Sequence, residues 1–527
     1  MKKMSHYQTR LVLFAILILG CFAVNAQIIT SAQIDTVVER TIKAFDVPGI
    51  AVAIVKDNQV ILAKGYGVRS LKTKQKVDEN TLFGIASNSK AFTSAALGIL
   101  IDEKKLSWDD KVIDYIPEFR LYNPYVTEEF TIRDLLTHRS GLGLGAGDLM
   151  IWPGKNNFTI KDIIHNMRYL KPVSGFRTKY DYDNLLYIIA GEVVARVSGM
   201  SWESFIETRI MLPLNMTHSA ASYHRLKDSS NVIAPHAPVN GKVQVIPRDL
   251  NDPFNAAAGV NSNLTDMCKW IMMQMNNGKY GEGLNKQLFS KEVHRAMWAP
   301  QTIIQVGDSS AYHTHFAAYG LGWSLSDVMG YKQVGHTGAL AGIYTQVTLI
   351  PELKLGIIVF TNQQSGAAFS AITNTIKDSY FGIKGMDRVK QYAAGSAKNE
   401  EHAKQITDEI WKAIDIQQKS ATAKTDFTLF AGTFTDKWFG DVVISIKNGK
   451  LLFDSKRSPT LTGELLAYKG NTFIVKWNDR SMDADAYVMF DLDSAGKASG
   501  MKMKAISPST DFSFDFQDLD FSRAEGK

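Results

Sequence analysis

Cysteine is scarce in this 527-residue sequence, which contains only Cys21 and Cys268. If residues 1–26 are removed on export, Cys268 is left alone and no internal disulfide can form. Stability must then come from buried apolar surface, which a chain of this length distributes over two or three domains. Cys268 has helical neighbours and is predicted to be a buried thiol without a catalytic role.

Long hydrophobic runs are also scarce. The most apolar one, Leu11–Val24, has 14 residues, whereas a transmembrane helix needs about 20. Basic residues precede it, and Val24-Asn25-Ala26 forms a small-residue cleavage site, so residues 1–26 have the pattern of a signal peptide. We expect secretion across the inner membrane into the periplasm, with no transmembrane segment after removal. The alternative is a lipoprotein anchor at Cys21, for which Leu19 is a poor fit.

Charge of one sign is not in large excess either. The formal net charge is +6, and loss of residues 1–26 would remove three basic residues and no acidic ones, leaving +3. This balance gives no reason to expect a nucleic-acid partner. The histidines show no metal-ligand spacing, so we predict no metal and no cofactor.

Hydrophobic periodicity divides the rest of the chain into three regions. Residues 27–385 mix helical and strand patterns, and residues 386–423 read as a helical linker rich in Lys, Glu, Gln and Ala. Residues 424–527 have short strands and polar turns, which predict a small all-β barrel. The clearest predicted helices are 31–46, 181–197 and 367–376, and the clearest strands are 50–55, 60–64, 344–350, 355–360, 442–446, 451–453, 472–477, 486–490, 501–505 and 512–516.

Ser87 and Lys90 form a pair that is typical of a nucleophile and its base. A serine and a lysine three residues apart lie on one face of a helix, where the amine can take the hydroxyl proton and create a nucleophile. The spacing is not specific, because it recurs at Ser494/Lys497 and Ser499/Lys502. Ser87 differs in that the apolar run Ala95–Ile101, which predicts a buried helix, follows it.

Two further motifs offer the other groups that such a nucleophile needs. Tyr182-Asp183-Asn184 is the only Tyr-x-Asn in the chain, and His336-Thr337-Gly338 is the only His-Thr-Gly. The backbone N–H groups of Ser87 and Ala339 could form an oxyanion hole. Each motif also has a plain interpretation, with Asn184 as a helix N-cap and His336 as a structural histidine.

In this order the three motifs resemble the serine β-lactamase and penicillin-binding-protein superfamily, and most of all its branch of class C β-lactamases, D-alanyl-D-alanine carboxypeptidases and esterases. Thr131–Leu142 and Lys105–Asp110 are also similar to that family, so the resemblance covers about residues 30–385. Through Leu429–Phe434, the C-terminal region is similar to the lipocalin-like domain often fused to such hydrolases. The implied fold is α+β: an antiparallel sheet flanked by helices, an inserted mostly helical subdomain, and a C-terminal barrel.

The resemblance also implies roles. Ser87 would attack a carbonyl and become acylated, while Lys90 and Tyr182 share general-base duty. Asn184 would hydrogen-bond Lys90 or the substrate amide. The strand that orients the substrate would carry His336, Thr337 and Gly338, with Ala339 as the second oxyanion donor.

Two departures from the family pattern bear on specificity. His336 stands where many relatives have a lysine, and a histidine is only partly charged near neutral pH. Asp183 replaces the usual serine, and we expect it to favour a substrate ammonium group. The resemblance therefore implies a secreted serine hydrolase that cleaves, or transfers acyl from, a D-amino-acid peptide or a carboxyl ester. The alternatives are a class C-like β-lactamase and an inactive penicillin-binding-like sensor. The barrel is a candidate for homo-oligomer contacts.

Overall fold

The computed structural model describes residues 28–307, 311–419 and 425–524. The predicted signal peptide, residues 1–26, and the alternative anchor Cys21 lie outside the described residues. Within the described residues, no single helix has the length and hydropathy of a membrane span. One pair of helices, Leu185–Ser198 and Trp202–Met211, reaches that length and hydropathy only when the two are counted together, and they are bent by 74° relative to each other.

An eight-stranded antiparallel sheet forms the centre of the first region. Its strands are β1 (Gly49–Lys56), β2 (Gln59–Gly67), β3 (Thr302–Ile304), β4 (Ala317–Tyr319), β5 (Ser324–Val328), β6 (Tyr331–Leu340), β7 (Ile343–Ile350) and β8 (Leu355–Thr361). Their order across the sheet is β2-β1-β8-β7-β6-β5-β4-β3. The β1–β2 turn places Asp57 and Asn58 at φ 51° and 63°, the conformation that a tight hairpin requires. Strands β1 and β8 are apolar along their length because both of their faces are buried.

Helices cover both faces of this sheet. The longer ones are α1 (Ser31–Ala44), α2 (Lys90–Asp102), α3 (Leu185–Ser198), α4 (Leu264–Met275), α5 (Gly366–Phe381) and α6 (Arg388–Lys419). On one face, α1 and α5 pack through Ile34 and Ile372 against Val52 and Val359. On the other face lie α2 and α4, which meet where the rings of Phe92 and Trp270 stack 3.9 Å apart.

A mostly helical subdomain is inserted between α2 and β3, around the buried helix α3. Its shorter helical segments are Val112–Tyr115, Pro124–Glu129, Ile132–Leu135, Ile160–Asn166, Trp202–Ile206, Asn255–Ala258 and Lys291–Met297. Three two-stranded ribbons accompany them: Phe83–Gly84 with Asn261–Ser262, His236–Val239 with Lys242–Val245, and Lys279–Tyr280 with Lys286–Gln287. The Ser87, Tyr182 and His336 motifs meet in the cleft between this subdomain and the sheet.

The C-terminal region is a closed eight-stranded antiparallel barrel. Its strands are β9 (Gly432–Asp436), β10 (Gly440–Lys447), β11 (Lys450–Ser455), β12 (Thr462–Lys469), β13 (Thr472–Trp477), β14 (Ala486–Leu492), β15 (Ala498–Ala505) and β16 (Phe521–Arg523). Buried aromatic side chains fill its interior, among them Phe434, Phe453, Phe473, Trp477 and Phe490. With the sheet, its flanking helices and the inserted subdomain, this barrel confirms the predicted α+β fold class.

The strand predicted at 512–516 is wrong. Residues 506–520 form turns and a short 3-10 helix, Phe516–Asp518. The alternation of phenylalanines there imitates a strand, but Asp511 accepts a hydrogen bond from the N–H of Ser513 (2.9 Å) and closes a turn. The strand β12, by contrast, is present although its pattern did not predict it.

Helix α6 joins the two regions. Its first turn packs through Val389 in the cluster that α1 and α5 form on the sheet. Near its end, Ile410 and Ile414 pack against Ile474 and Ile506 of the barrel. The helix lies within the segment 386–423 read as a linker, of which residues 420–424 are outside the described residues.

Candidate active site

Ser87 lies in a strained turn that leads into α2. The preceding residue, Ala86, has a φ of 51°, which is uncommon for a residue with a side chain. The sheet holds this turn, because the Thr345 hydroxyl donates to the carbonyl of Ile85 (2.9 Å) and accepts from the Asn88 amide (2.9 Å). Ser87 is partly exposed while the residues on either side of it are buried, so its hydroxyl is the group within reach of a substrate.

Lys90 is fully buried directly behind this serine. Its Nζ lies 3.1 Å from Ser87 Oγ, 2.7 Å from Asn184 Oδ1 and 3.2 Å from the carbonyl oxygen of Ala257. Burial lowers the pKa of Lys90 to about 7, against the attraction of two buried aspartates that raise it. Near neutral pH much of the amine is therefore unprotonated and can accept a proton from Ser87.

Tyr182 approaches the same serine from the loop before α3. The Lys90 Nζ lies 4.7 Å from the centre of the Tyr182 ring. Burial holds the pKa of Tyr182 well above its usual value, although its interaction with Ser87 lowers it in part. Tyr182 is thus a protonated hydroxyl at neutral pH, whereas Lys90 is the group poised to act as a base.

His138 fixes the backbone on both sides of Tyr182. The N–H of Asp183 donates to His138 Nδ1 and the N–H of Asp181 donates to the His138 carbonyl, each at 3.0 Å. The imidazole lies 4.1 Å from the Tyr182 ring. Burial depresses the pKa of His138 well below its usual value, so it stays neutral and serves to position the tyrosine.

Asp148, rather than helix capping, orients the side chain of Asn184. The amide nitrogen of Asn184 donates to Asp148 Oδ2 at 2.7 Å, which turns its oxygen towards Lys90. The capping contact of α3 falls to Asp183, whose Oδ1 accepts from the N–H of Leu186 at 3.4 Å. Asn184 thus occupies the N-cap position of α3, but its side chain makes no capping hydrogen bond. The side chain of Asp183 is fully buried, so any preference for a substrate ammonium would act through its charge and not through contact.

Strand β6 runs directly beside the serine turn. A Cβ on Gly338 would lie 2.4 Å from both the Ile85 oxygen and Thr345 Oγ1, so only a glycine permits this approach. Thr337 and Ala339 are exposed on either side of it. The strand therefore presents a short stretch of backbone to the cleft, next to the serine.

His336 is buried and uses both of its ring nitrogens. The Tyr319 hydroxyl donates to Nε2 (2.8 Å), and Nδ1 donates to the carbonyl of Thr337 (2.5 Å). Burial lowers the pKa of His336 to about 3. The imidazole is thus neutral near pH 7, and this position supplies no positive charge for a substrate carboxylate.

A family model described as Beta-lactamase matches residues 34–379, which include all of these groups. The chain belongs to the β-lactamase family. A second model, described as a domain of unknown function (DUF3471), matches residues 417–523, the region of the barrel.

Relatives of this β-lactamase-family chain include proteins of fungi and bacteria. It is 27% identical over 376 residues to the unguisins hydrolase ungD of Aspergillus violaceofuscus, covering 67% of this chain and 65% of that protein. It is 28% identical over 338 residues to the protein flp of Staphylococcus aureus, covering 63% of each. The chain thus spans slightly less than two thirds of the length of these relatives.

Among solved structures, the chain is similar to the octameric penicillin-binding protein homologue from Pyrococcus abyssi. The TM-score is 0.59 with 20% sequence identity, over 94% of this chain and 100% of that one. At this identity the likeness establishes the fold. It extends over the barrel as well as the β-lactamase-family domain.

Cys268 and the potential metal ligands are further reactive groups to consider. Cys268 is buried, and burial raises the pKa of its thiol to about 12. Among residues 28–307, 311–419 and 425–524, no three His, Cys, Asp or Glu side chains converge as metal ligands would. Sequence reasoning missed Asp148 and Tyr319, because a single aspartate in a glycine-rich stretch and a lone tyrosine belong to no motif.

Proposed function

We propose that this chain is a secreted, periplasmic serine hydrolase that forms an acyl-enzyme on Ser87. Its substrate would be a D-amino-acid peptide or amide, or a carboxyl ester. The observation that carries the proposal is the contact between a buried amine and an accessible hydroxyl: Lys90 Nζ lies 3.1 Å from Ser87 Oγ, and the pKa of Lys90 is lowered to about 7. That combination makes a nucleophile at neutral pH.

In the proposed reaction Lys90 takes the proton of Ser87 as Oγ bonds to the substrate carbonyl carbon. The N–H groups of Ser87 and Ala339 hold the resulting oxyanion. As the bond to the leaving amine or alcohol breaks, Tyr182 gives its proton to that group and is reprotonated from the Lys90 ammonium. Water then adds to the acyl-enzyme and releases the acid, and Ser87 regains a proton. An alcohol in place of water would give acyl transfer instead of hydrolysis.

Specificity follows from the electrostatics of the substrate strand. His336 is neutral, so it supplies no fixed positive charge at the place where many relatives have a lysine for a substrate carboxylate. Esters and D-amino-acid amides therefore fit this site better than penicillins, and a class C-like β-lactamase is the second candidate. The inactive sensor is disfavoured, because nucleophile, base and hydroxyl donor are all in contact.

Two wider parts of the proposal rest on the relatives and on the sequence. Export to the periplasm follows from the predicted signal peptide. The barrel would mediate homo-oligomer contacts. The similar structure from Pyrococcus abyssi is named as octameric, which is a reason to test this. A hydrolytic reaction agrees with the name of the fungal relative, a hydrolase of unguisins.

The test uses the protein without residues 1–26 and a fluorescent fluorophosphonate. We expect wild type to be labelled at Ser87, while Ser87→Ala is not labelled and Ser494→Ala, which keeps the site intact, labels like wild type. Turnover of D-amino-acid amides, short esters and a chromogenic cephalosporin then ranks the substrate classes. Equal labelling of wild type and Ser87→Ala would refute the proposal. Labelling without turnover of any substrate would favour the sensor.

A further inference from the structure

The connection between β15 and β16 leaves the barrel and reaches the candidate active site. The ring of Phe512 meets the ring of Tyr182 edge-on, with centroids 5.9 Å apart, and remains 39% exposed in the cleft. Its backbone also presses on the inserted subdomain, since a Cβ on Gly145 would lie 2.7 Å from the Phe512 carbonyl oxygen. An aromatic side chain of the C-terminal domain is thus exposed beside a residue of the proposed catalytic group.

The same segment lies near the opposite wall of the cleft. Burial raises the pKa of Tyr344 to about 12, and the carboxylate of Asp511 adds to that shift through its charge. Tyr344 pairs with Ala339 across β7 and β6. Asp511 is therefore close enough to β7 for its charge to act on Tyr344.

Asp515 binds the loop that carries Asp148. Its Oδ2 accepts from the N–H of Gly147 at 2.6 Å, and its Oδ1 accepts from the N–H of Leu149 at 3.0 Å. The Asp515 side chain is fully buried. The two N–H groups flank Asp148, so the carboxyl group of Asp515, from the C-terminal domain, fixes the backbone on both sides of it.

From Asp148 the contacts continue without a gap to the proposed base. Asp148 Oδ2 accepts from the Asn184 amide at 2.7 Å, and the Asn184 oxygen lies 2.7 Å from Lys90 Nζ. A shift of the loop would rotate the amide and change the position of the amine. An error of about 1 Å in such a group can cost about 100-fold in rate.

The barrel is held in place by contacts away from the cleft. The Asn166 amide donates to the carbonyl of Trp438 at 2.8 Å, and the N–H of Asn157 donates to the carbonyl of Arg457 at 3.0 Å. These bonds join the inserted subdomain to the barrel directly. The segment with Phe512 and Asp515 is therefore presented by a docked domain.

We propose that the C-terminal domain completes the active site, with Phe512 as a specificity-determining wall beside Tyr182 and Asp515 as a positioning residue for Lys90. This inference rests on the proposed hydrolase function. Because Tyr182 would protonate the leaving group, the group held against Phe512 belongs to the leaving side of the substrate. The subsite accordingly takes an apolar, preferably aromatic, leaving group.

The test of Phe512 compares benzyl acetate with methyl acetate as substrates. Phe512→Ala should lower the benzyl-to-methyl ratio of kcat/KM by about tenfold, mainly through KM, because one aromatic contact is lost. Phe514→Ala, which removes a neighbouring aromatic packed on Phe516, should leave the ratio unchanged. An unchanged benzyl-to-methyl ratio in Phe512→Ala would overturn the proposed role of Phe512 in specificity.

The test of Asp515 separates positioning from stability. Asp515→Asn should lower kcat by about 100-fold with little change in KM, since one N–H of the loop loses its acceptor. The control is Asp436→Asn, a buried barrel carboxylate that accepts from Trp438 N and Phe439 N at 2.8 Å each. It should lower Tm to a similar extent and keep kcat.

Fluorophosphonate labelling distinguishes the two proposals. If wild type is labelled and active but Asp515→Asn loses no more kcat than Asp436→Asn, the positioning role fails while the hydrolase stands. If wild type is not labelled at Ser87, both fail. Should Asp515→Asn not fold, the Phe512→Ala ratio still decides whether the domain lines the site.

Discussion

The same Ser-x-x-Lys spacing occurs in two regions with opposite surroundings. Ser87 and Lys90 lie on a helical turn, where the lysine is buried and its amine is 3.1 Å from the serine. Ser499 and Lys502 lie on strand β15, both exposed, and Ser499 Oγ donates to the carbonyl of Asp491 instead. Three residues of a strand span about 10 Å, so this lysine stands away from its serine. A spacing becomes chemistry only through secondary structure and burial.

Burial carries the larger part of that difference. Placing Lys90 in the interior disfavours its charged form and creates a base near neutral pH. It also requires acceptors for the amine, which Asn184 and Ala257 supply. Three sets of variants test this contrast between a buried and an exposed lysine, and the largest effect is expected for the first.

Replacing Lys90 and Lys502 should give the largest difference in activity between the two Ser-x-x-Lys pairs. Lys90→Met should lower kcat/KM by about 10³-fold, because the proposed general base is lost. Its Tm should change little, because the cost of a buried amine is removed while Asn184 Oδ1 and the Ala257 carbonyl lose a donor. Lys502→Met should change neither quantity. Steady-state kinetics and thermal unfolding measure both, and more than a tenth of wild-type activity in Lys90→Met would contradict the assignment.

The pH dependence should report the buried lysine. Lys90 must be unprotonated to accept a proton, so kcat/KM should fall about tenfold per pH unit below pH about 7. His336→Gln is the control, because an imidazole with a pKa of about 3 is already neutral over this range. It should keep the midpoint of the acid limb. A rate that is flat from about pH 5 to 9 would rule out Lys90 as the base, and a limb lost in His336→Gln would assign it to the histidine.

Two glycine substitutions test how tightly the serine turn is held. Gly338→Ala should lower the free energy of unfolding by about 1–3 kcal/mol, because its Cβ would overlap Ile85 and Thr345. Gly395→Ala should raise it by about 0.5–1 kcal/mol, because Gly395 lies in α6 with open space around it. Urea unfolding of both variants measures whether the free energy of unfolding falls or rises. An unchanged stability of Gly338→Ala would mean that β6 does not pack closely on the turn.

Local patterns predicted the elements whose burial is regular. The helix at 31–46 and the strands at 344–350 and 355–360 correspond to α1, β7 and β8 within two residues at either end. The strand predicted at 512–516 is wrong because its phenylalanines lie in different surroundings. Phe516 is buried in the barrel while Phe512 stands in the cleft. Alternation in a sequence does not reveal which surface each side chain meets.

By itself, the sequence determined the order of the motifs and the residue types available to the site. Through the family resemblance of those motifs it also implied the α+β class. The tertiary structure alone decided that Lys90 is buried behind Ser87, that His336 is neutral, and that the fully buried side chain of Asp183 caps a helix. It also brought Asp515 to Gly147, 368 residues away in the chain. The physical reason is that burial, and the pKa values and contacts that follow from it, depend on the packing of distant segments, which no local pattern contains.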